Sequence, residues 1–145
     1  MRVLVQKVKE ASVSVSDSIV GKIGTGYLLF LGVQKGDNAT QADYLARKVS
    51  GLRIFEDDNG KMNLSIADVA GEILVVSQFT LAGDTSRGNR PGFESAARPE
   101  EAKVLYEYFI EKLRKYGYHV ETGVFQAEML VSLVNDGPST FLLEK

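Results

Sequence analysis

Apolar runs of about strand length constrain the fold of this chain most, because they recur along it with few helix-length patterns between them. Two runs, Tyr27 to Val33 and Gly71 to Phe79, predict buried strands. In the N-terminal third apolar residues alternate with polar ones, which is typical of half-buried strands. The alternating positions are Val3 and Val5, then Ala11, Val13 and Val15, then Ile19 and Ile23, and they predict three strands.

Two segments keep the apolar spacing of a helix that buries one face. The first follows Asn38, a good N-cap residue, and the second begins at Pro99 and stops at Gly117. Their apolar positions are Ala42, Leu45, Ala46, Val49 and Leu52 in the first helix and Ala102, Leu105, Tyr106, Phe109 and Leu113 in the second.

Two or three strands are predicted to finish the chain, at residues 119–123, 128–135 and 139–143. The last two are expected to pair antiparallel across the turn Asp136-Gly137-Pro138. Many strands with two main helices indicate an α+β fold with a mostly antiparallel sheet. A length of 145 residues predicts a single domain, residues 1–145, large enough to build a core.

The composition excludes several classes of protein. Without cysteine the chain has no disulfide and no thiolate nucleophile or metal ligand. No signal peptide or membrane span is recognisable, so a cytoplasmic protein is expected. Seventeen basic and nineteen acidic residues give a net charge of −2, so any contact with nucleic acid must be local. Arg87 and Arg90, in a polar loop, are candidates for such contact or simply solvated side chains.

Conventional catalytic groups are almost absent. The single histidine, His119, stands at the start of a predicted strand, where a structural role is common. A Ser-His-Asp arrangement therefore has no other histidine to use. The adjacent acidic pairs Asp57-Asp58 and Glu100-Glu101 do not share a face in regular structure, and they indicate a turn and a helix start and not a metal site.

Two motifs remain, and each has two interpretations. Ser77-Gln78-Phe79-Thr80 ends an apolar strand with polar residues. Its donors could hold the oxyanion of an ester-hydrolysis intermediate, or they could merely satisfy the end of the strand. The Asp-Gly pair in Asn135-Asp136-Gly137-Pro138 is typical of an ordinary hairpin turn, but the segment could also hold a substrate.

These two motifs resemble the signature motifs of the D-aminoacyl-tRNA deacylases, a family of small hydrolases. Further similar segments are Leu52-Arg53-Ile54-Phe55, Gly60 to Ser65 and Gly88-Asn89-Arg90-Pro91, so the resemblance covers essentially the whole chain. It implies an α+β fold with a curved, barrel-like sheet and a homodimer. It also implies cleavage of the ester of D-aminoacyl-tRNA, and of glycyl-tRNA mischarged on tRNA-Ala. No ligand cluster in the sequence implies a metal or an organic cofactor.

The resemblance also assigns roles to residues. It implies that Ser77, Gln78 and Thr80 are catalytic. Because no histidine or lysine within the motif could activate a threonine nucleophile, Thr80 is preferred as a positioning group, with the neighbouring ribose hydroxyl as the source of base-like assistance. It implies a cis Gly137-Pro138 bond, with two carbonyls that hold the substrate ammonium in the active site of the other subunit. An L side chain would then strike backbone, a D side chain would not, and glycine would escape selection.

The remaining implied contacts concern the substrate pocket and the tRNA. Phe79, Phe125, Met129 and Asn135 are expected to contact the aminoacyl-adenosine end, although Phe125 and Met129 would serve equally as core residues. Lys61, Arg87 and Arg90 are expected to contact the 3′ end of the tRNA. The chain departs from the family pattern at Gln126, Glu128 and Ser139, where Gly, Asp and Val are expected.

Two other functions are compatible with the sequence. A non-catalytic module could bind the tRNA end through the same arginines and through aromatic stacking. A metabolic esterase could hydrolyse small amino-acid esters. Comparing the deacylation of D- and L-aminoacyl-tRNA distinguishes a binding module from a D-aminoacyl-tRNA deacylase. The contribution of the tRNA to the rate distinguishes a metabolic esterase from the deacylase.

Overall fold

The computed structural model describes all residues, 1–145, and contains eight strands and two α-helices. The strands are β1 (Arg2–Val15), β2 (Ser18–Ile23), β3 (Gly26–Gly32), β4 (Arg53–Glu56), β5 (Met62–Ser65), β6 (Glu72–Ser77), β7 (Val120–Thr122) and β8 (Leu130–Glu144). The helices are α1 (Ala39–Ser50) and α2 (Pro99–Lys115), and a short 3₁₀ turn covers Phe79–Ala82.

Strand β1 organises the main sheet. It pairs antiparallel with β8 along one edge, and with β3 and then β2 along the other. The order β2-β1-β3-β6-β7 ends with two parallel pairings, β3 with β6 and β6 with β7. Strand β2 curls over the far end of the sheet, where Gly21 approaches so closely that an added Cβ would lie 2.8 Å from the Thr122 carbonyl oxygen. The predicted α+β fold with a mostly antiparallel, barrel-like sheet is confirmed.

Both helices begin as their sequences predict. Asn38 caps α1 by accepting a hydrogen bond from the Thr40 amide, and Gln41 completes a capping box. Pro99 occupies the first turn of α2, and the helix ends just before Gly117, whose φ is 93°. The two helices pack on one face of the sheet over the larger hydrophobic core. A smaller core, which includes Val8, Val13 and Val76, lies on the other face.

The predicted C-terminal hairpin is wrong. Residues 130–144 form one strand, and both of its halves pair with β1 and not with each other. Thr140 pairs with Gln6 and Asn135 with Val8, so Asp136 to Ser139 bulge out opposite Lys7. Local sequence favours a turn here, but β1 offers both halves a longer antiparallel partner. The bulge accommodates the turn residues.

Two strand boundaries also differ from the predictions. Positions 3–5 and 11–15 belong to the single strand β1 and not to two strands, because the intervening residues continue the pairing with β3 and β8. Strand β6 ends at Ser77, and Phe79 already belongs to the 3₁₀ turn. The polar motif therefore spans the strand end and the turn that follows it.

Candidate active site

A cleft of about 620 Å³ opens beside the end of β6. It lies between the C-terminal ends of β3 and β6, the start of α2 and the segment that precedes β8. Most of its lining is apolar. The residues that matter most to its chemistry are Ser77, Gln78, Phe79, Tyr106, Phe125 and Met129.

The backbone around Ser77 and Gln78 is fixed by the sheet. Ser77 pairs with Leu31 on β3, and the Gln78 amide donates to the Leu31 carbonyl at 2.8 Å. Directly afterwards the chain turns into the 3₁₀ segment, in which the first amide groups have no partner within the turn. The Phe79 and Thr80 amides are in this position, so this corner can offer donors to an oxyanion.

Thr80 lies at the outside of this corner. It is exposed and does not line the cleft, and its hydroxyl accepts a hydrogen bond from the Gln78 side-chain amide. Phe79 is 60% exposed and packs against Phe93, with ring centroids 5.1 Å apart. No histidine or lysine contacts the Thr80 hydroxyl, so the structure provides no base for it.

Tyr106 forms the floor of the cleft and was not among the predicted site residues. Its hydroxyl donates to the Val75 carbonyl at 3.0 Å, and its ring lies 5.6 Å from that of Phe125. Burial raises the pKa of Tyr106 to about 12, so the phenol stays neutral near pH 7 and cannot act as a base. The sequence signal was a tyrosine on the apolar face of α2, which requires a buried partner for its hydroxyl.

The Asn135–Ser139 segment is held rigidly. The Asn135 side chain accepts from the Ser139 amide at 2.6 Å and donates to the Ser139 carbonyl and the Thr140 hydroxyl at 3.2 and 2.9 Å. Between these anchors, Gly137 and Pro138 are exposed and joined by a cis peptide bond. Neither lines the cleft of its own chain. One chain therefore does not bring the two motifs together.

The buried side chain of Lys7 forms an ion pair with Asp136 of this bulge. Its side chain points inward with Val3 and Val5, and the residue is only 4% exposed. The ammonium lies 3.7 Å from the Asp136 carboxylate and 5.8 Å from the centroid of the Phe55 ring. A lysine at an inward position of an otherwise apolar strand was the sequence signal, because such a charge needs a partner.

The other predicted residues lie outside the cleft. Lys61 is exposed at the tip of the β4–β5 hairpin, and Arg87 and Arg90 are exposed in the loop that the Asp84–Gly92 bridge closes. His119 is exposed on the surface, where its Nε2 lies 3.1 Å from the Glu121 carboxylate.

Of the three departures from the family pattern, Gln126 lines the cleft at a φ of 63°, a conformation that glycine adopts most easily. Glu128 is exposed. Ser139 is buried, and its hydroxyl has no hydrogen-bond partner. The exposed positions tolerate such changes more easily than the buried one.

The structure contains no candidate metal centre and no membrane-spanning helix. No three or more His, Cys, Asp or Glu side chains are grouped so that they could hold a metal ion. Neither helix has the length and hydropathy needed to cross a membrane.

The sequence and the fold both match known proteins. Residues 4–144 match the family described as D-Tyr-tRNA(Tyr) deacylase. The chain is 60% identical over its full length to a D-aminoacyl-tRNA deacylase of Exiguobacterium sp., covering 99% of that protein. It is 57% identical over 99% of its length to one of Symbiobacterium thermophilum, covering 95% of that protein.

Two solved structures share the fold. The structure titled c-Myc DNA Unwinding Element Binding Protein superposes with a TM-score of 0.94 at 40% identity, covering all of this chain and 99% of the other. A probable eukaryotic D-amino acid tRNA deacylase superposes with a TM-score of 0.78 at 19% identity, covering 98% and 97%. The full-length match and the high identities to named deacylases show that this chain belongs to the D-aminoacyl-tRNA deacylase family.

Proposed function

We propose that this protein hydrolyses the ester bond of D-aminoacyl-tRNA, releasing the free D-amino acid and tRNA. The observation that carries the proposal is the cleft at the end of β6, where Ser77, Gln78 and Phe79 meet the apolar residues Phe125 and Met129. Water adds to the ester carbonyl, and the ribose oxygen leaves with a proton. The substrate is made in the cytoplasm, and we expect the protein there.

Catalysis in this proposal is mainly electrostatic. The amides at the start of the 3₁₀ turn stabilise the oxyanion, and one such donor is worth about a hundred- to a thousandfold in rate. Ser77, Gln78 and Thr80 hold this corner in place, and the vicinal ribose hydroxyl assists proton transfer. Two observations favour electrostatic catalysis over catalysis by a side-chain base: the Tyr106 phenol is buried and neutral, and no base lies beside the Thr80 hydroxyl.

Selection of the D enantiomer requires a second copy of the chain. The carbonyls of Gly137 and Pro138 from the partner subunit are proposed to hold the substrate ammonium, so that an L side chain meets backbone. Glycine has no side chain to reject, so glycyl-tRNA mischarged on tRNA-Ala is also a substrate. Support comes from the exposure of Gly137 and Pro138 and from the rigid bracket that Asn135 makes around them.

The open face of the sheet is the proposed dimer surface. Leu142, Leu4 and Phe30 form a row across β8, β1 and β3, with Leu142 52% exposed. Arg2, also on β1, donates to the Leu81 carbonyl at 2.6 Å, which links this face to the 3₁₀ turn. A homodimer through this row would bury apolar surface next to the catalytic corner.

The remaining predicted residues have assigned places in this proposal. Phe79, Phe125 and Met129 contact the terminal adenosine and the aminoacyl group. The exposed cations Lys61, Arg87 and Arg90 contact phosphates near the 3′ end of the tRNA. No metal or cofactor takes part.

The test is deacylation of matched D- and L-aminoacyl-tRNA at equal enzyme concentration, with glycyl-tRNA as a third substrate. We expect rapid loss of the D ester and of the glycyl ester and little loss of the L ester. Binding of tRNA without turnover would instead support a binding module. Equal rates on free amino-acid esters and on tRNA esters would support a small-molecule esterase.

A further inference from the structure

A second concave surface lies away from the active-site cleft, where the end of α1 meets the start of β4. This basic cleft has a volume of about 360 Å³ and is lined by Tyr44, Arg47, Lys48, Gly51, Leu52 and Arg53. None of these residues lines the cleft beside β6. Its lining contains three cations and no carboxylate, in a chain whose net charge is −2.

The three cations of the basic cleft are free of ion pairs. Arg47, Lys48 and Arg53 have no carboxylate oxygen within 4.0 Å, and Arg47 and Lys48 are exposed. By contrast, Lys112 and Arg114 near the end of α2 pair with Asp43 and Glu111 at 2.8 Å. No carboxylate therefore neutralises these cations by direct contact, and their charge is open to a ligand. Asp43 and Asp68 act on Arg47 and Arg53 only at longer range.

The geometry of these side chains is also suited to an anion. The Arg47 guanidinium and the Lys145 ammonium lie 5.9 and 5.0 Å from the centroid of the Tyr44 ring. Arg53 is oriented by a hydrogen bond from its Nε to the Asn63 carbonyl at 2.7 Å. Cations from helix α1 and from the C-terminal segment thus lie beside one aromatic ring, and Arg53 of β4 lines the same cleft.

Helix stability explains only part of this arrangement. Arg47 and Lys48 lie in the last turn of α1, where cations interact favourably with the helix dipole. That effect gives no reason for Arg53 of β4 to line the same cleft, or for Lys145 to lie beside the Tyr44 ring. A ligand with several negative charges accounts for the three cations that line the cleft.

We propose that the basic cleft binds the phosphodiester backbone of the tRNA, away from its aminoacylated end. The proposal rests on the proposed function for the identity of the ligand. Phosphate contacts of this kind supply affinity and orientation without base recognition. They would let a chain with a net negative charge hold a tRNA while the ester lies in the other cleft.

The experiment compares Arg47→Gln, Lys48→Gln and the double variant with Lys115→Gln. Lys115 is a matched control because it is an exposed lysine in the last turn of α2 with no carboxylate within 4.0 Å. Steady-state kinetics are measured over a range of salt concentrations on full-length D-aminoacyl-tRNA and on a D-aminoacylated CCA trinucleotide. Binding of uncharged tRNA to the same variants is measured by filter retention.

For the double variant we expect KM on full-length tRNA to rise roughly three- to tenfold with kcat unchanged. The slope of log KM against log salt concentration should become shallower by about one for each cation removed. Kinetics on the trinucleotide should not change, and Lys115→Gln should behave as the parent. An unchanged KM on full-length tRNA, or an equal loss on the trinucleotide, overturns the proposal. If the parent binds uncharged tRNA but does not deacylate D-aminoacyl-tRNA, and the double variant weakens that binding, the proposed function fails and the basic cleft stands.

Discussion

Thr80 illustrates how the surroundings of one hydroxyl limit its chemistry. A threonine nucleophile requires a neighbouring base, and the only side chain that hydrogen-bonds to the Thr80 hydroxyl is the neutral amide of Gln78. The buried phenol of Tyr106 cannot serve as a base either, since its pKa is about 12. The hydroxyl is thus suited to hold the corner and not to attack the ester.

Thr80→Ala tests this interpretation. Loss of one supporting hydrogen bond should lower kcat by about 10- to 100-fold and leave KM for tRNA close to the parent value. Thr80→Ser keeps the hydroxyl and should retain most of the activity. Turnover abolished to the uncatalysed rate in Thr80→Ala, with tRNA binding intact, would identify Thr80 as the nucleophile instead.

At the same scale, the sequence predicted some of the residues that line the cleft and not others. Ser77, Gln78 and Phe79 line it, and they were predicted because their motif ends an apolar strand with polar residues and resembles the family signature. Tyr106 and Lys7 were missed because each resembles an ordinary helix or strand residue until its buried partner is known. Contacts between distant segments determine such roles, and no local pattern reports them.

Among the elements, the turn between β4 and β5 depends on one carboxylate. Asp57 accepts hydrogen bonds from the amides of Lys61 and Asn59 and from the side chain of Asn63, at 3.1, 2.9 and 3.2 Å. The Lys61 amide is the largest cause that holds the pKa of Asp57 below its usual value, followed by the Asn59 amide.

This turn should make stability depend on acid pH. A carboxyl whose pKa is lowered by folding stabilises the protein above its unfolded pKa of about 3.9, and that contribution is lost as pH falls through the folded-state pKa. Asp57→Asn should therefore lower the free energy of unfolding at pH 7 and reduce its decline between about pH 4 and pH 2. Urea unfolding at several pH values measures both effects.

Asp58→Asn is the control for this prediction, because Asp57 and not Asp58 accepts the hydrogen bonds of the turn. The control should keep the pH dependence of the parent. An unchanged pH profile in Asp57→Asn would show that the turn does not depend on the charge.

The elements also differ in how far sequence could predict them. Helices α1 and α2 were predicted closely because the N-cap Asn38 and the first-turn Pro99 act locally. The pairing of β8 was not predicted, because the Asp-Gly sequence favours a hairpin while the real partner, β1, lies at the other end of the chain. Register over such distances depends on the whole sheet.

For the whole molecule, the proposed dimer makes the active site a property of two chains. Leu142→Arg places a charge in the exposed apolar row of the sheet, where a partner would have to bury it. We expect a folded monomer whose D-aminoacyl-tRNA deacylation falls at least 100-fold, because the partner's Gly137 and Pro138 are missing. Analytical ultracentrifugation and single-turnover deacylation measure the two effects.

Val104→Arg is the matched control, since Val104 is 66% exposed on α2, away from that row. It should remain dimeric and active. A monomeric Leu142→Arg protein that still discriminates D from L esters would contradict the shared site.

The pairing of β1 with β8 also affects how the protein is made. Arg2 finds its partner Glu144 only when almost the entire chain has left the ribosome, so one edge of β1 stays without hydrogen-bond partners until then. Such an edge invites pairing with a wrong strand. The inward ammonium of Lys7 is a charge that a foreign strand would have to bury without Asp136 to neutralise it. We therefore expect the same lysine that supports the finished bulge to make wrong pairing of the nascent strand less favourable.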